Sequence, residues 1–347
     1  MYIKKILLFL VFAGLVGGGF FAYKVYGAFF NPNTKFNNKE ATVFIYSNDG
    51  FQEVKESLKP LLEDLDSFEQ AANRKGYSQN VKGGKYSIQK GMNNNEIIGV
   101  LRSGNTPVKV AFNNQESLES LAGRISTQIE ADSISLVKAF KDVDFQNEHG
   151  FNDGHEITPY IPNSYEFFWN TSAEKFRERM VTEYKRFWND DRLAKAEKVG
   201  LEPKQVVALA SIVHKETAKV EERPRVAGLY LNRLNTNMLL QADPTVIFAL
   251  KKHAGDFDLV IKRVLYKDLE IDSPYNTYKY AGVPPGPIAM PDISAIDAVL
   301  SPEKHDYIYM VANVEDFGYH KFAKTAAQHN RNKEQYIRWI NAQKITR

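Results

Sequence analysis

The hydrophobic residues of this chain first form an unbroken apolar run near the N-terminus, over residues 6–23. A run of about 18 residues reaches the lower limit for a helix that crosses a bilayer. Lys4 and Lys5 precede the run, and basic residues favour the cytoplasmic side of a membrane. The pattern predicts a cytoplasmic tail over residues 1–5 and a retained transmembrane signal anchor over residues 6–26. A cleaved signal peptide is the alternative, although the end of the run offers no small-x-small cleavage site.

Residues 27–112 carry a second pattern, in which short strand-like segments alternate with helical ones. Residues 27–41 are polar and aperiodic, which predicts a linker that tethers the anchor to the folded part of the chain. From residue 42 the spacing predicts two helices at 51–65 and 93–101, and three strands at 42–46, 85–89 and 108–112. This order of strands and helices indicates a small α+β module over residues 42–112.

Beyond residue 112 the hydrophobic positions recur mainly at helical spacing. Helices are predicted at 113–129, 171–188, 194–198 and 324–343, and three more begin near Pro203, Arg223 and Asp243. Asp243 precedes a proline, which favours it as the N-cap of its helix. A strand is predicted at 307–312 and a turn at 317–320, and the prolines of residues 282–287 require a rigid loop.

The fold class that these patterns predict is α+β. It comprises a single N-terminal transmembrane helix, the small α+β module, a helical connector over residues 113–160, and a mainly helical domain with a few strands over residues 161–347.

Glu216 is the carboxylate that stands out, because it falls on the apolar face of a predicted helix. The apolar positions before it recur at i, i+3, i+4 and i+7, at Val206, Leu209, Ala210 and Val213. Glu216 follows on the same face, whereas His214 and Lys215 point elsewhere. A lone buried carboxylate is costly unless it is paired or protonated. A protonated glutamate is a general acid, but a carboxylate with this periodicity alone is more often a structural one that caps a neighbouring helix.

The composition of the chain argues against nucleic-acid binding and against cysteine-based sites. The chain has 43% hydrophobic and 25% charged residues and a net charge of +3, without a long basic run, so no nucleic-acid partner is expected. The absence of cysteine excludes disulfides and zinc–thiolate sites. The histidines show no metal-binding spacing, so we expect no metal and no cofactor, and we interpret His320 and His329 as structural.

Several motifs, in their order along the chain, resemble the endolytic murein transglycosylase (YceG-like) family. They are PNSYEF at 162–167, ASIVHKE at 210–216, NRL at 232–234, LQADPTV at 240–246, SPYNTY at 273–278, GVPPGPI at 282–288 and HN at 329–330. The family's catalytic glutamate matches Glu216. The chain departs from the family at His214, where relatives often carry an acidic residue, and at Met290 and Asp292 after the proline loop.

The resemblance implies an enzyme that cleaves the β-1,4 bond between N-acetylmuramic acid and N-acetylglucosamine and so limits the length of new peptidoglycan strands. One glutamate would act as acid and then as base, giving a 1,6-anhydro end without consuming water. The small module would be LysM-like and the catalytic domain lysozyme-like. Candidate substrate-binding residues, each with packing or hydrogen bonding in the fold as the alternative, are Asn232, Gln241, Tyr275, Asn276, Tyr278, Pro285 and Gly286.

The partners that the resemblance implies are peptidoglycan glycan strands, cell-wall synthases (penicillin-binding proteins) and the lipid bilayer, through residues 6–26. The protein would lie in the cell (inner) membrane as a single-pass protein, with a cytoplasmic N-terminus and its catalytic domain in the periplasm or extracytoplasmic space. Two other functions stay open: a non-catalytic scaffold that binds peptidoglycan, and a muramidase that uses water with a second carboxylate such as Asp243.

Overall fold

The computed structural model describes residues 2–342 and contains two compact units. The small unit comprises the chain up to residue 110 with two returning segments, 128–131 and 166–172, and the large unit comprises the remainder. Because of these returning segments, neither unit is one contiguous stretch of sequence. The last residues of the predicted domain 161–347 and of the predicted helix 324–343 lie outside the described residues, as does Met1 of the predicted tail.

The small unit begins with helix α1, Tyr2–Phe30, which has no buried residue. By length and composition it is the helix among residues 2–342 that could cross a membrane. It extends past the predicted anchor of residues 6–26.

The predicted tether after the anchor is wrong over its first part, because side-chain amides fix it to the small unit. Asn33 is 3% exposed, and its Nδ2 donates to the Asp64 carbonyl and to Asn94 Oδ1, both at 2.7 Å. Asn94 Nδ2 donates in turn to the carbonyl of Ala28 in α1, at 2.7 Å. Amide pairs of this kind leave no hydrophobic period in the sequence, so the segment resembles a linker.

The remaining elements of the small unit are β1 Glu40–Ile45, α2 Phe51–Leu58, α3 Leu65–Arg74, β2 Gly84–Gln89, α4 Asn94–Ser103 and the start of β3, Pro107–Phe112. β1 and β2 pair antiparallel, from Glu40 opposite Gln89 to Ile45 opposite Gly84. The predicted helix 51–65 ends early, at Leu58, and α3, which shares only Leu65 with it, was not predicted. Pro60 follows the end of α2, and Asp64 caps α3 by accepting from the Ser67 N–H at 3.0 Å, so the chain breaks between them.

The large unit is mainly helical. In chain order its elements are α5 Leu118–Ser126, α6 Ser133–Phe140, α7 Val143–His149, β4 Asn163–Phe168 (which ends in the small unit and pairs with β3), α8 Ala173–Phe187, α9 Asp190–Val199, α10 Pro203–Glu216, α11 Arg223–Asn235, α12 Asp243–Ala254, α13 Ile293–Leu300, β5 Tyr309–Ala312, β6 His320–Ala323 and α14 Ala326–Ala342. β5 and β6 pair antiparallel.

Several predicted bounds in the large unit are corrected. The helix predicted at 113–129 starts only at Leu118, because Ser117 caps it by accepting from the Ser120 N–H. The helix predicted at 194–198 is longer in the structure, where it is α9. Asn189 caps its start, and Gly200, at φ +72°, ends it. Helices α6, α7 and α13 and strands β4 and β6 were not predicted. Residues 282–287 form neither helix nor strand, which confirms the predicted loop.

Helix α10 lies in the core of the large unit. Its eight residues from Val206 to Val213 are all buried, so the helix is buried all round and not along one stripe. The N–H of Glu202, just before the helix, donates to Gln205 Oε1 at 3.0 Å, which supports the predicted start at Pro203. The helix ends at Glu216, and Thr217 adopts an extended conformation. A rigid core helix therefore fixes the position of Glu216.

Candidate active site

Glu216, the last residue of α10, is only partly buried, and one of its oxygens is held by Tyr230 of α11. The Tyr230 hydroxyl donates to Glu216 Oε1 at 2.7 Å, and Tyr230 is 1% exposed. Among residues 2–342 no other hydrogen bond to the Glu216 carboxylate is found. One oxygen is thus fixed by a buried donor, and the other is available to a ligand.

Burial raises the pKa of Glu216. The Tyr230 hydrogen bond and the charges of His320 and Arg233 act in the opposite direction, and the charge of Asp243 raises the pKa further, so the net shift is upward. Glu216 therefore keeps its proton to a higher pH than an ordinary glutamate. This is the property required of a carboxylic general acid, and it agrees with the prediction made for Glu216 from its place on the helix.

His320, the first residue of β6, is bound twice by the carboxylate of Glu222. The backbone N–H of His320 donates to Glu222 Oε1 at 2.7 Å, and the imidazole Nδ1 lies 3.0 Å from Glu222 Oε2. Burial alone would lower the pKa of His320, but the hydrogen bond and charge of Glu222 and the charge of Glu216 raise it. The interpretation of His320 as a satisfied structural histidine is therefore incomplete, because its charge also acts on Glu216.

Asp243 and Tyr278 form a second polar pair, and the charge of Asp243 acts on Glu216. The prediction of Asp243 as an N-cap is wrong: the N-cap is Ala242, and Asp243 is the first helical residue of α12. Its Oδ1 accepts from the Tyr278 hydroxyl at 2.6 Å. Burial and the bond to Asp243 raise the pKa of Tyr278 well above its usual range, so the phenol stays protonated.

Gln241 precedes α12 in a left-handed backbone conformation, with φ +49°. Few residues other than glycine adopt this conformation, and it persists only where surrounding contacts impose it. The Gln241 N–H donates to the Thr277 carbonyl at 3.0 Å, and Arg233 donates to the Leu240 carbonyl at 2.5 Å. The side chain of Gln241 is exposed. The backbone is therefore held while the amide is free to meet a ligand.

The amides of Asn232 and Asn276 bind the backbone of nearby loops. Asn232 Nδ2 donates to the carbonyls of His305 and Tyr307, at 2.7 and 3.0 Å. Asn276 is fully buried, and its Nδ2 donates to the carbonyls of Leu269 and Ile271, at 2.8 and 2.9 Å. Both contacts match the alternative role in loop structure that the sequence left open.

Three further candidates, Tyr275, Pro285 and Gly286, lie against Gly154 in the large unit. Tyr275 is 3% exposed, packs on Phe248 with ring centroids 4.7 Å apart, and lines a cavity of about 400 Å³. A Cβ on Gly286 would lie 1.9 Å from the Gly154 carbonyl oxygen, so the proline loop packs directly on the backbone of the 150–158 segment. Among residues 2–342 no hydrogen bond or ion pair joins these three to Glu216.

His214 lies apart from the carboxylate of Glu216, as the helical spacing predicts. Its Nδ1 is 3.3 Å from Asp292 Oδ2, and Asp292 also lies 3.4 Å from the guanidinium of Arg223. His329 stacks on Tyr309, with ring centroids 5.1 Å apart. Within residues 2–342 no group of three or more His, Asp or Glu side chains is placed to hold a metal ion.

Known proteins resemble this chain over most of its length. The profile of the YceG-like family matches residues 43–335. A Bacillus subtilis protein named endolytic murein transglycosylase is 30% identical over 343 residues, covering 93% of this chain and 91% of that protein. A Streptococcus pneumoniae protein of the same name is 27% identical over 360 residues, and the match covers 95% of this chain and 64% of that protein. The crystal structure of a YceG-like protein from Listeria monocytogenes superposes with a TM-score of 0.56 at 28% identity, over 85% of this chain and 99% of that one. The chain therefore belongs to the YceG-like family.

Proposed function

We propose that the chain is a membrane-anchored endolytic lytic transglycosylase. It cleaves the β-1,4 bond between N-acetylmuramic acid and N-acetylglucosamine in peptidoglycan glycan strands. The observation that carries the proposal is Glu216, a partly accessible carboxyl group with a raised pKa at the end of a buried helix. The names of the relatives from Bacillus subtilis and Streptococcus pneumoniae support the same reaction.

In the first step Glu216 is the acid. Because Tyr230 donates to Oε1, the proton of the neutral carboxyl resides on Oε2. This proton passes to the glycosidic oxygen as the bond from that oxygen to C1 of the muramoyl sugar breaks. Proton transfer by a positioned group contributes about 10²–10⁴-fold to such reactions.

In the second step the same group is the base. Glu216, now a carboxylate, takes the proton of the muramoyl C6 hydroxyl while that oxygen attacks C1. The muramoyl sugar becomes a 1,6-anhydro end, the leaving sugar regains a hydroxyl group, and no water is consumed. The hydrogen bond from Tyr230 and the charge of Arg233 stabilise the carboxylate between the two steps.

Among the candidate binding residues, Gln241 and Tyr278 are those we propose to contact sugar. Gln241 offers an exposed amide on a held backbone, and Tyr278 is linked to Asp243 beside Glu216. We assign an indirect role to the others, which order the loops around the groove: Asn232, Tyr275, Asn276, Pro285 and Gly286.

We further propose that α1 anchors the protein in the cell membrane with a cytoplasmic N-terminus and an extracytoplasmic catalytic domain. The lysines before the apolar run support this orientation. In this location the enzyme would meet nascent strands beside the cell-wall synthases, which we propose as partners. A LysM-like role for the small unit, in retaining glycan, and a lysozyme-like catalytic domain belong to the same proposal.

The proposal is tested by replacing Glu216 with glutamine in the full-length protein in detergent. The substrate is uncrosslinked glycan, and the products are counted by mass spectrometry. We expect Glu216→Gln to remain folded and to release no anhydro-muropeptides, whereas Glu178→Gln, an exposed glutamate of α8, should match the wild type. Activity retained in Glu216→Gln would exclude Glu216 as the acid.

A muramidase that uses water is the second candidate, and the charge of Asp243 acting on Glu216 is the observation that favours it. An enzyme of that kind needs two carboxylates and leaves reducing ends. The same mass spectra distinguish the two candidates, because a reducing muramic acid is heavier than the anhydro form by one water.

A further inference from the structure

His320 and Glu222 form a buried ion pair that the two steps above do not use. The Glu222 side chain is only 2% exposed, and both its oxygens bind His320, one through the backbone N–H and one through Nδ1. A buried carboxylate is stable only when its oxygens are satisfied, and a cationic partner satisfies it best. Glu222 therefore holds the imidazole in place and favours its protonated form.

The chain between Glu216 and Glu222 is short and places this pair beside the catalytic group. Thr217, which follows Glu216, is 3% exposed; its hydroxyl accepts from the Lys219 N–H at 3.1 Å, and the Lys219 carbonyl accepts from the Glu222 N–H at 3.1 Å. Glu222 ends the 3₁₀ turn Val220–Glu222 that leads into α11. The segment thus folds back on itself, and the charge of His320 reaches Glu216.

We infer that His320 is a positioning residue for Glu216: Glu222 holds it as a cation, and it stabilises the carboxylate that forms as Glu216 gives its proton to the glycosidic oxygen. This inference rests on Glu216 being the acid and base, as proposed above. The charge facilitates the first step, in which Glu216 is the acid, and leaves a somewhat weaker base for the second.

Other charged and titratable groups also face Glu216. They are Tyr230 and Arg233 from α11, Asp243 from α12, and Tyr278 from the loop before the proline segment. Arg233 is a second cation, but a guanidinium stays charged at every pH at which a protein is folded. His320 is thus the cation among these groups whose charge changes near neutral pH.

The sign of the coupling follows from these charges. Protonated His320 lowers the pKa of Glu216, and ionised Glu216 raises the pKa of His320. Removing the imidazole charge must therefore move the ionisation of Glu216 to higher pH. Because linkage is reciprocal, removing the Glu216 charge must lower the pKa of His320 by the same number of pH units.

The test uses the full-length protein in nanodiscs and two variants. His320→Asn places an amide nitrogen where Nδ1 lies, so that the bond to Glu222 can persist without the charge. We expect the alkaline limb of its kcat/KM profile to move to higher pH and its kcat to fall. His253→Asn, at an exposed histidine near the end of α12, should leave the limb unchanged.

The second variant is Glu216→Gln, in which His320 itself is intact. Histidine-selective NMR of this variant should show a lower pKa for His320 than in the wild type, by the same shift as the limb of His320→Asn. An unshifted limb in folded His320→Asn, together with an unshifted His320 pKa in Glu216→Gln, would reduce His320 to a structural role. A Glu216→Gln protein that still cleaves glycan would instead refute the proposed function, whatever His320 does.

Discussion

Tyr230→Phe isolates the hydrogen bond that the structure gives to Glu216. The substitution removes the hydroxyl that donates to Oε1 at 2.7 Å and keeps the ring in a site that is 1% exposed. Phenylalanine fills nearly the same volume, so the core around α10 and α11 should stay intact.

The expected size of the effect follows from how the bond changes during the reaction. In the ground state the acceptor is a neutral carboxyl, and such bonds contribute about 0.5–1.5 kcal/mol. As the proton leaves, the acceptor becomes a carboxylate, and bonds to charged groups contribute about 1.5–3 kcal/mol. The difference of about 1–2 kcal/mol corresponds to a loss of about 5- to 30-fold in kcat, with little change in KM.

The pH profile should shift in a direction that simple damage to the fold would not produce. The Tyr230 hydrogen bond lowers the pKa of Glu216, so its loss raises that pKa further above the usual range. The reaction starts from protonated Glu216, and kcat/KM falls as pH rises through its pKa. The alkaline limb of Tyr230→Phe should therefore lie at higher pH than that of the wild type, even though the plateau is lower.

The assay measures release of anhydro-muropeptides from uncrosslinked glycan across a range of pH. The matched control is Tyr77→Phe in the small unit, whose buried hydroxyl has no hydrogen-bond partner among residues 2–342. That control should keep full activity and at least the wild-type melting temperature, because it removes an unsatisfied group. A Tyr230→Phe profile with an unchanged limb, or one moved to lower pH, would refute the reasoning about Glu216.

Two further predictions concern the proline loop and Asp243. Gly286→Ala places a Cβ against the Gly154 carbonyl oxygen, and this overpacking should lower the free energy of unfolding by about 1–3 kcal/mol. The control is Gly123→Ala in α5, where the added Cβ meets open space and should not destabilise the protein. Thermal melts compare the two variants, and equal melting temperatures would contradict the close packing. Asp243→Asn removes a charge that raises the pKa of Glu216, so the alkaline limb of the kcat/KM profile should move to lower pH while the products stay anhydro forms. A loss of all cleavage in this variant, or reducing ends among the wild-type products, would favour the muramidase.

The position of the candidate acid on a helix could be predicted from sequence because its signal is local, whereas its role as an acid was implied by the resemblance of the ordered motifs. The apolar spacing before Glu216 and the prolines of residues 282–287 each reflect a constraint that operates within a few residues. The structure confirms the helix that ends at Glu216 and the loop at residues 282–287.

The groups around Glu216 could not be predicted in the same way, because they are distant in the chain. His320 and Glu222 are 98 residues apart, and no periodicity in either segment indicates that they meet. Tyr230 lies on the apolar face of its own helix, where it resembles a core residue until its hydroxyl is traced to Glu216. The predicted turn at 317–320, after the predicted strand at 307–312, is the one signal that could have placed His320 on the second strand of a hairpin.

Two local predictions failed because a tertiary contact outweighed a local preference. Asp243 has the residue type and the following proline of an N-cap, yet its carboxylate binds Tyr278, 35 residues away. The stretch around Asn33 has the composition of a linker, yet its amide is buried against Asn94. In both cases a polar side chain satisfied a distant partner, which hydrophobic patterning does not report.

The central claim is that Glu216 alone transfers both protons and that no water enters the product. The measurement that tests it most directly is digestion of uncrosslinked glycan in heavy-oxygen water by the wild type and by Glu216→Gln, with mass spectrometry of the new muramic acid ends. We expect the wild type to give anhydro ends that carry no heavy oxygen, and Glu216→Gln to give no new ends. Reducing ends that carry heavy oxygen, or cleavage by Glu216→Gln, would contradict the account.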